Sequence, residues 1–234
     1  GHVDQVNGEV FAIRADGTKV ELNDGDPVYE GDVLQSGPDS AIGVILADDT
    51  TFSMAENGEM VLDEMIYDPS TQEGSLNVNI AKGMFTFVSG QIAKTDPDAM
   101  TLDTPVATIG IRGTQVGLDF TDGENLTTML MEESDGFVGE IVVTNNGGQQ
   151  IINVAGQGTT VTAFETPPAA IFTADDGQIV NMFGPSLQYL PVTVGTGNNF
   201  GLGYDPNSKE SEEQLEQELE EAKAEEDAEG EEEL

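Results

Sequence analysis

The sequence predicts an all-β fold followed by an acidic C-terminal helix, and three observations lead there. Short apolar segments recur about every ten residues between clusters of Gly, Asp, Asn and Pro, as at residues 8–13, 41–46 and 83–88. Glycine makes up 28 of the 234 residues, and no long apolar pattern of period 3.6 occurs before Ser208. Beyond Ser208 the composition changes to Glu, Gln, Leu and Ala, with a sparse apolar stripe at Leu215, Leu219 and Ala222.

In chain order, the first strands are separated by turn signals at Ala15-Asp16-Gly17, Asn23-Asp24-Gly25-Asp26 and Ser36-Gly37-Pro38-Asp39. There Gly supplies positive φ, and Asx side chains bond the nearby backbone. Residues 56–66 are the one stretch of the body that suggests a turn of helix. A second set of strands is expected at 126–132, 136–144, 149–154 and 158–164. Asn145-Asn146-Gly147-Gly148 should close a hairpin between two of them, because a tight primed turn needs positive φ at its central residues. Periodicity then weakens past Thr166-Pro167-Pro168, and residues 165–206 read as a loop-rich extension packed on a β domain of residues 3–164. Residues 207–234 form an acidic tail, helical or disordered, with Ser208 as its N-cap and glutamates in the first turns, where they favour a helix dipole.

Charge narrows the function classes. The chain carries 45 Asp and Glu against 7 Lys and Arg, a formal charge of -38, which repels phosphate backbones and anionic lipid surfaces. Neither nucleic acid nor a membrane surface is expected as a partner. No apolar run approaches the roughly 18–20 residues that span a bilayer, and the first residues lack the basic and apolar regions of a signal peptide. Cysteine is absent, so disulfides and thiolate metal sites are excluded. A saline habitat and Ca²⁺ binding would each account for the acidity. The densest set of oxygen ligands is Asn23, Asp24, Asp26, Glu30 and Asp32, with Gly25 and Gly31 between them. Asp24, Asp26, Glu30 and Asp32 are candidate Ca²⁺ ligands, the alternative being an Asx-rich hairpin facing water. No other cofactor is expected.

Catalytic patterns are missing. His2 is the only histidine, in a Gly1-His2 start that looks like a cloning remnant, so a Ser-His or Cys-His pair has no base. No Gly-x-Ser-x-Gly elbow, phosphate-binding loop or dinucleotide fingerprint occurs. Asp103-Thr104-Pro105 has Pro where an aspartic protease has Gly, and it has no second copy. A carboxylate-dependent secreted hydrolase needs only two suitably spaced acids, and stays as a third reading behind two non-enzymatic ones.

One stretch is specific: Thr104-Pro-Val-Ala-Thr-Ile-Gly-Ile-Arg-Gly-Thr114. Upstream of it come Gly25-Asp26, Gly31-Asp32, Ser36-Gly37 and Asp39-Ser40, then an apolar strand opening at Gly83. This order resembles the FecR domain family, whose closing signature is Thr-Pro, an apolar run, then Gly-Val-Arg-Gly-Thr; the resemblance covers about residues 3–120 and continues to residue 164. The resemblance implies an extracytoplasmic module, periplasmic, surface-bound or secreted, built as a short β-solenoid-like or twisted β-sandwich stack. It marks Thr104, Pro105, Gly110, Arg112, Gly113 and Thr114 as motif residues. Gly110 and Gly113 would permit a tight bend around Arg112. Arg112 itself either ties strand ends together through carbonyls or a carboxylate such as Asp26, Asp32 or Asp103, or contacts an external anion such as a siderophore carboxylate. The function expected is a non-catalytic interaction or scaffold module whose partners are protein domains or a surface polymer. The alternative, implied by the best-known family members, is the periplasmic sensing part of a sigma-factor regulator of ferric-siderophore uptake. The helical cytoplasmic domain, membrane span and receptor-contacting domain of that plan are not recognisable in this sequence.

Overall fold

The computed structural model describes residues 1–192 except Pro97 and Asp135. The first strands are β1 (His2–Asn7), β2 (Val10–Ile13), β3 (Lys19–Glu21), β4 (Val33–Ser36), β5 (Ala41–Ile45) and β6 (Thr51–Met54). They are followed by β7 (Glu59–Tyr67), β8 (Gly74–Val88), helix α1 (Gln91–Thr95), β9 (Met100–Asp103), β10 (Thr108–Arg112) and β11 (Gln115–Phe120). The remaining elements are β12 (Leu126–Met131), β13 (Glu140–Asn145), β14 (Gly148–Ile152), β15 (Gln157–Val161), β16 (Phe172–Thr173) and α2 (Asp176–Leu187). The all-β prediction holds. The acidic helix expected from Ser208 lies outside the described residues; α2 is the helix they contain near the C-terminal end.

The strands form two open sheets joined through β8. One sheet runs β1-β5-β6-β8-β11-β12-β15-β16, and the other runs β3-β2-β4-β7-β8-β9-β10-β13-β14. All neighbours are antiparallel except β8 and β9, which are parallel. The first half of β8 pairs with β7 and β9 in the second sheet, and its last six residues pair with β6 and β11 in the first. The switch occurs at a bulge. Lys82 pairs with Glu59 and Ile80 with Met60, leaving Ala81 unpaired, while Gly83 takes φ 125°. A skipped residue reverses the inward and outward alternation. Leu76, Val78 and Ile80 point inward before the bulge, and Phe85 and Phe87 after it. One strand thus feeds a core that both sheets line, with Phe52, Leu118 and Leu126 from one side and Leu102, Ile109 and Ile141 from the other.

Residues 56–66, read as a helical turn, fall largely in β7. Met60 and Leu62 alternate inward against β8, and this pairing of eight residues overrides the local preference. The hairpin at Asn145 closes in the predicted place, with Asn145 opposite Gly148. Its central residues Asn146 and Gly147 do not take positive φ. Instead the Asn145 side-chain oxygen accepts the N–H groups of Gly147 (2.9 Å) and Gly148 (3.1 Å), an Asx turn in place of a primed one.

The outer face of the first sheet is covered. Its central row, Gly43, Ser53, Thr86, Gly117, Met129 and Gly158, runs across five strand boundaries and is mostly small. Residues 176–191 lie along that trough. A side chain at Gly117 would meet the Phe183 ring at 2.9 Å, Thr86 and Ser186 share a hydrogen bond of 2.7 Å, and a Cβ at Gly43 would stand 2.2 Å from the Tyr189 carbonyl oxygen. A capping box starts α2: the Asp175 carboxylate accepts the Gln178 N–H, and the Gln178 side chain accepts the Asp175 N–H. The turn signals Gly184-Pro185 conceal this helix in the sequence, and docking on the trough overrides them.

Gly43→Ala is expected to lower stability by about 1–3 kcal/mol, because the clash is with backbone. Chemical denaturation measures the loss, and faster proteolytic cleavage between residues 165 and 192 shows that the covering segment has lifted.

Candidate functional site

The motif stretch of residues 104–114 builds one turn, one strand and one crossing between the sheets. Thr104, Pro105, Val106 and Ala107 make the turn from β9 to β10. The Thr104 N–H and hydroxyl both donate to the Ala107 carbonyl, at 2.9 and 2.8 Å, and the hydroxyl accepts the Ala107 N–H at 3.0 Å. Pro105 sits second, where its fixed φ suits the turn.

Gly110 and Gly113 then part company. Gly110 is in mid-strand, opposite Thr101 and Val142, and a Cβ there would meet Val142 only at 3.9 Å. Gly113 takes φ 62° between β10 of one sheet and β11 of the other, so the bend belongs to it alone. Gly139 packs directly on this bend: a Cβ would lie 1.9 Å from the Gly113 carbonyl oxygen. Thr114, fully buried, anchors the far side. Its N–H donates to the Ser89 hydroxyl at 2.8 Å, its carbonyl accepts the Ser89 N–H at 3.1 Å, and its hydroxyl donates to the Met131 carbonyl at 3.2 Å.

Arg112 stands at the edge of this crossing, with about a third of its side chain exposed. It donates to Glu140, its antiparallel partner, at 2.5 Å, and to Asp98 at 3.0 Å. The bond to Asp98, seconded by that to Glu140, holds the guanidinium above its ordinary pKa against the opposing effect of burial. None of the three carboxylates expected from sequence is its partner. Asp103 accepts from Asn77 and Thr108, Asp32 from Arg14 and the Tyr29 N–H, and Asp26 from the Asn23 N–H. Both carboxylates that hold Arg112 come from segments whose proximity only the sheet register creates.

The candidate Ca²⁺ ligands are distributed among separate tasks. Asp24 accepts the Val6 N–H at 2.8 Å, Asp26 caps its own turn, Glu30 accepts the Met65 N–H at 3.2 Å, and buried Asp32 is paired with Arg14. Among the described residues no group of three or more Asp, Glu or His is arranged to hold a metal ion.

A second polar cluster, not singled out by the sequence reading as a site, lies near the crossing. Asp48 is buried; its carboxylate accepts the Thr50 hydroxyl at 2.7 Å and the Thr50 N–H at 3.1 Å, and the Thr50 hydroxyl accepts the Gly90 N–H at 2.9 Å. This network seats the start of α1, whose Lys94 reaches Glu133 at 3.8 Å. Ser89-Gly90, a small pair ending the apolar run of β8, was the available sequence signal. The shifted carboxyls Asp16, Asp68 and Asp122 all move below their ordinary range, chiefly through hydrogen bonds from residues two or three ahead in their own turns.

Alanine substitutions should separate the three glycines. Gly110→Ala is expected to be near neutral, Gly113→Ala to cost about 1–2 kcal/mol for a left-handed residue, and Gly139→Ala to cost more than either, all read from denaturant midpoints. Thermal melting in CaCl₂ and in NaCl at matched ionic strength should give the same rise, since both screen the charge of -38; an additional rise in CaCl₂ would show a specific site.

Residues 32–133 match the family model described as FecR protein. Two crystal structures of a candidate anti-sigma factor from Parabacteroides distasonis are similar at 10% sequence identity and a TM-score of 0.48; the alignments cover 64% and 63% of this chain. The chain spans 63% and 62% of the length of those two chains. No curated protein matches the sequence. The crossing built by Arg112, Gly113 and Thr114 falls inside the matched span, so the likeness of residues 32–133 to the FecR family includes it.

Proposed function

We propose that this chain is a non-catalytic interaction module of the FecR class that works outside the cytoplasm, as part of a secreted or cell-surface bacterial protein. The observation that carries the reading is how the family motif is used: Thr104, Gly113 and Thr114 hold a turn and a crossing, and Arg112 is engaged by Glu140 and Asp98. A motif so occupied specifies a scaffold, and binding then belongs to the outer strands and faces. The scarcity of cations, three Lys and two Arg before Ser208, supports partners other than nucleic acid or anionic lipid. Protein domains or a neutral or basic surface polymer fit this surface. The second reading, a sensing segment of a sigma-factor regulator of ferric-siderophore uptake, draws on the same FecR match.

Two measurements in the native cells test these readings. Fractionation with an antibody to the chain should find it in the envelope or the medium, and recovery from cytoplasm alone overturns the extracytoplasmic assignment. Deleting the coding segment should leave ferric-siderophore induction of iron-uptake genes unchanged; loss of that induction would establish the regulator reading in its place.

A further inference from the structure

The charges of this polyanion are unevenly placed. From residue 141 to residue 174 a single ionisable side chain occurs, Glu165, although the whole chain has 52 charged residues in 234. Those residues contain β13 after its first residue, Glu140, together with β14, β15 and β16, which close the two sheets at one end of each. Native edge strands are ordinarily protected from pairing with other chains by charge, proline or a cover. β14, Gly148-Gln-Gln-Ile-Ile152, has no charge and no proline, and it pairs with β13 only. Ile151 on this strand is 46% exposed, and Val154 just beyond it is 51% exposed.

The direction of the open hydrogen-bonding groups follows from the hairpin. In a two-residue hairpin the closing pair is hydrogen-bonded, and bonded and non-bonded pairs alternate from there. Asn145 and Gly148 close this one, followed by Val143 with Gln150 and Ile141 with Ile152. Gln149 and Ile151, in the intervening pairs, therefore turn their backbone N–H and C=O groups away from β13.

We propose that β14 is a self-association edge, on which a second copy of this chain pairs antiparallel about a two-fold axis at Gln150. In that register Gln149 of each copy faces Ile151 of the other, so both outward pairs are hydrogen-bonded, four bonds in all, and the nine-stranded sheets become continuous. Charge selects the occupant. A partner matched to a chain of -38 would be basic and would engage its acidic surface; another polyanion needs an uncharged place to land, and a second copy is such a polyanion.

Sedimentation velocity over a concentration series should show a rise from the 24.8 kDa monomer to twice that mass. Association should strengthen with NaCl, because screening relieves the repulsion between bodies while leaving backbone hydrogen bonds intact. Gln149→Pro removes one outward donor without breaking a backbone bond to β13, loses only the 3.2 Å side-chain bond from Gln149 to the Thr144 hydroxyl, and is expected to return the protein to monomer with the fold retained. Ile151→Glu, which brings a carboxylate into the shared sheet, is expected to do the same and serves if the proline variant fails to fold. Lys19→Glu on β3, the opposite edge, should leave the dimer intact. A monomer at every concentration and salt, or a dimer that both β14 variants leave unchanged, overturns the proposal; a dimer abolished equally by Lys19→Glu does so too.

Discussion

The structure depends on one strand belonging to two sheets. β8 can do so because Ala81 is bulged out and Gly83 adopts a conformation that other residues avoid, so that its apolar side chains change parity at the point where it changes sheet. Without the bulge, either Leu76, Val78 and Ile80 or Phe85 and Phe87 would point away from the shared core. Each of those side chains is worth roughly 1.5–3 kcal/mol when buried, so the register is held from both ends. The second crossing, at Gly113 and Thr114, is tied to the first: Thr114 bonds Ser89, the residue after β8. The FecR motif and the shared strand are two parts of one corner.

The scarce cations are placed where segments of the chain meet. In a body with five Lys and Arg, four take part in the contacts that organise segment ends. Arg14 binds buried Asp32 and lies over Tyr29, Lys19 lies over Phe11, Lys94 approaches Glu133, and Arg112 joins β10, β13 and the loop before β9. The partly exposed pairs of Arg112 with Asp98 and Glu140 are each worth about 1 kcal/mol or less, whereas buried Asp32 needs Arg14 to offset its desolvation. The excess of carboxylates over cations gives the chain a negative field that shapes which partners can approach.

Much of this was legible in the residues. The turn at Thr104-Pro105 and the hairpin at Asn145 are local, and local chemistry located both, although the Asn145 side chain, and not positive φ, closes the second. The helix at Asp176–Leu187 was hidden behind Gly184-Pro185, while its capping pair Asp175 and Gln178 stood in plain view. The glycines of the small-residue row look in sequence like weak points of separate strands. Their common purpose, a trough for residues 183–191, exists only once five registers align them.

Periodicity, composition and contiguous motifs sufficed for the all-β class, the places of many strands and the FecR resemblance. Tertiary structure alone decided that Gly113 bends and Gly110 does not, that Arg112 binds Glu140 and Asp98, and that the acidic cluster around Asp24 is divided among separate bonds. The physical reason is the same in each case: strand pairing joins residues far apart in the chain, and a shift of one residue in register would exchange every partner.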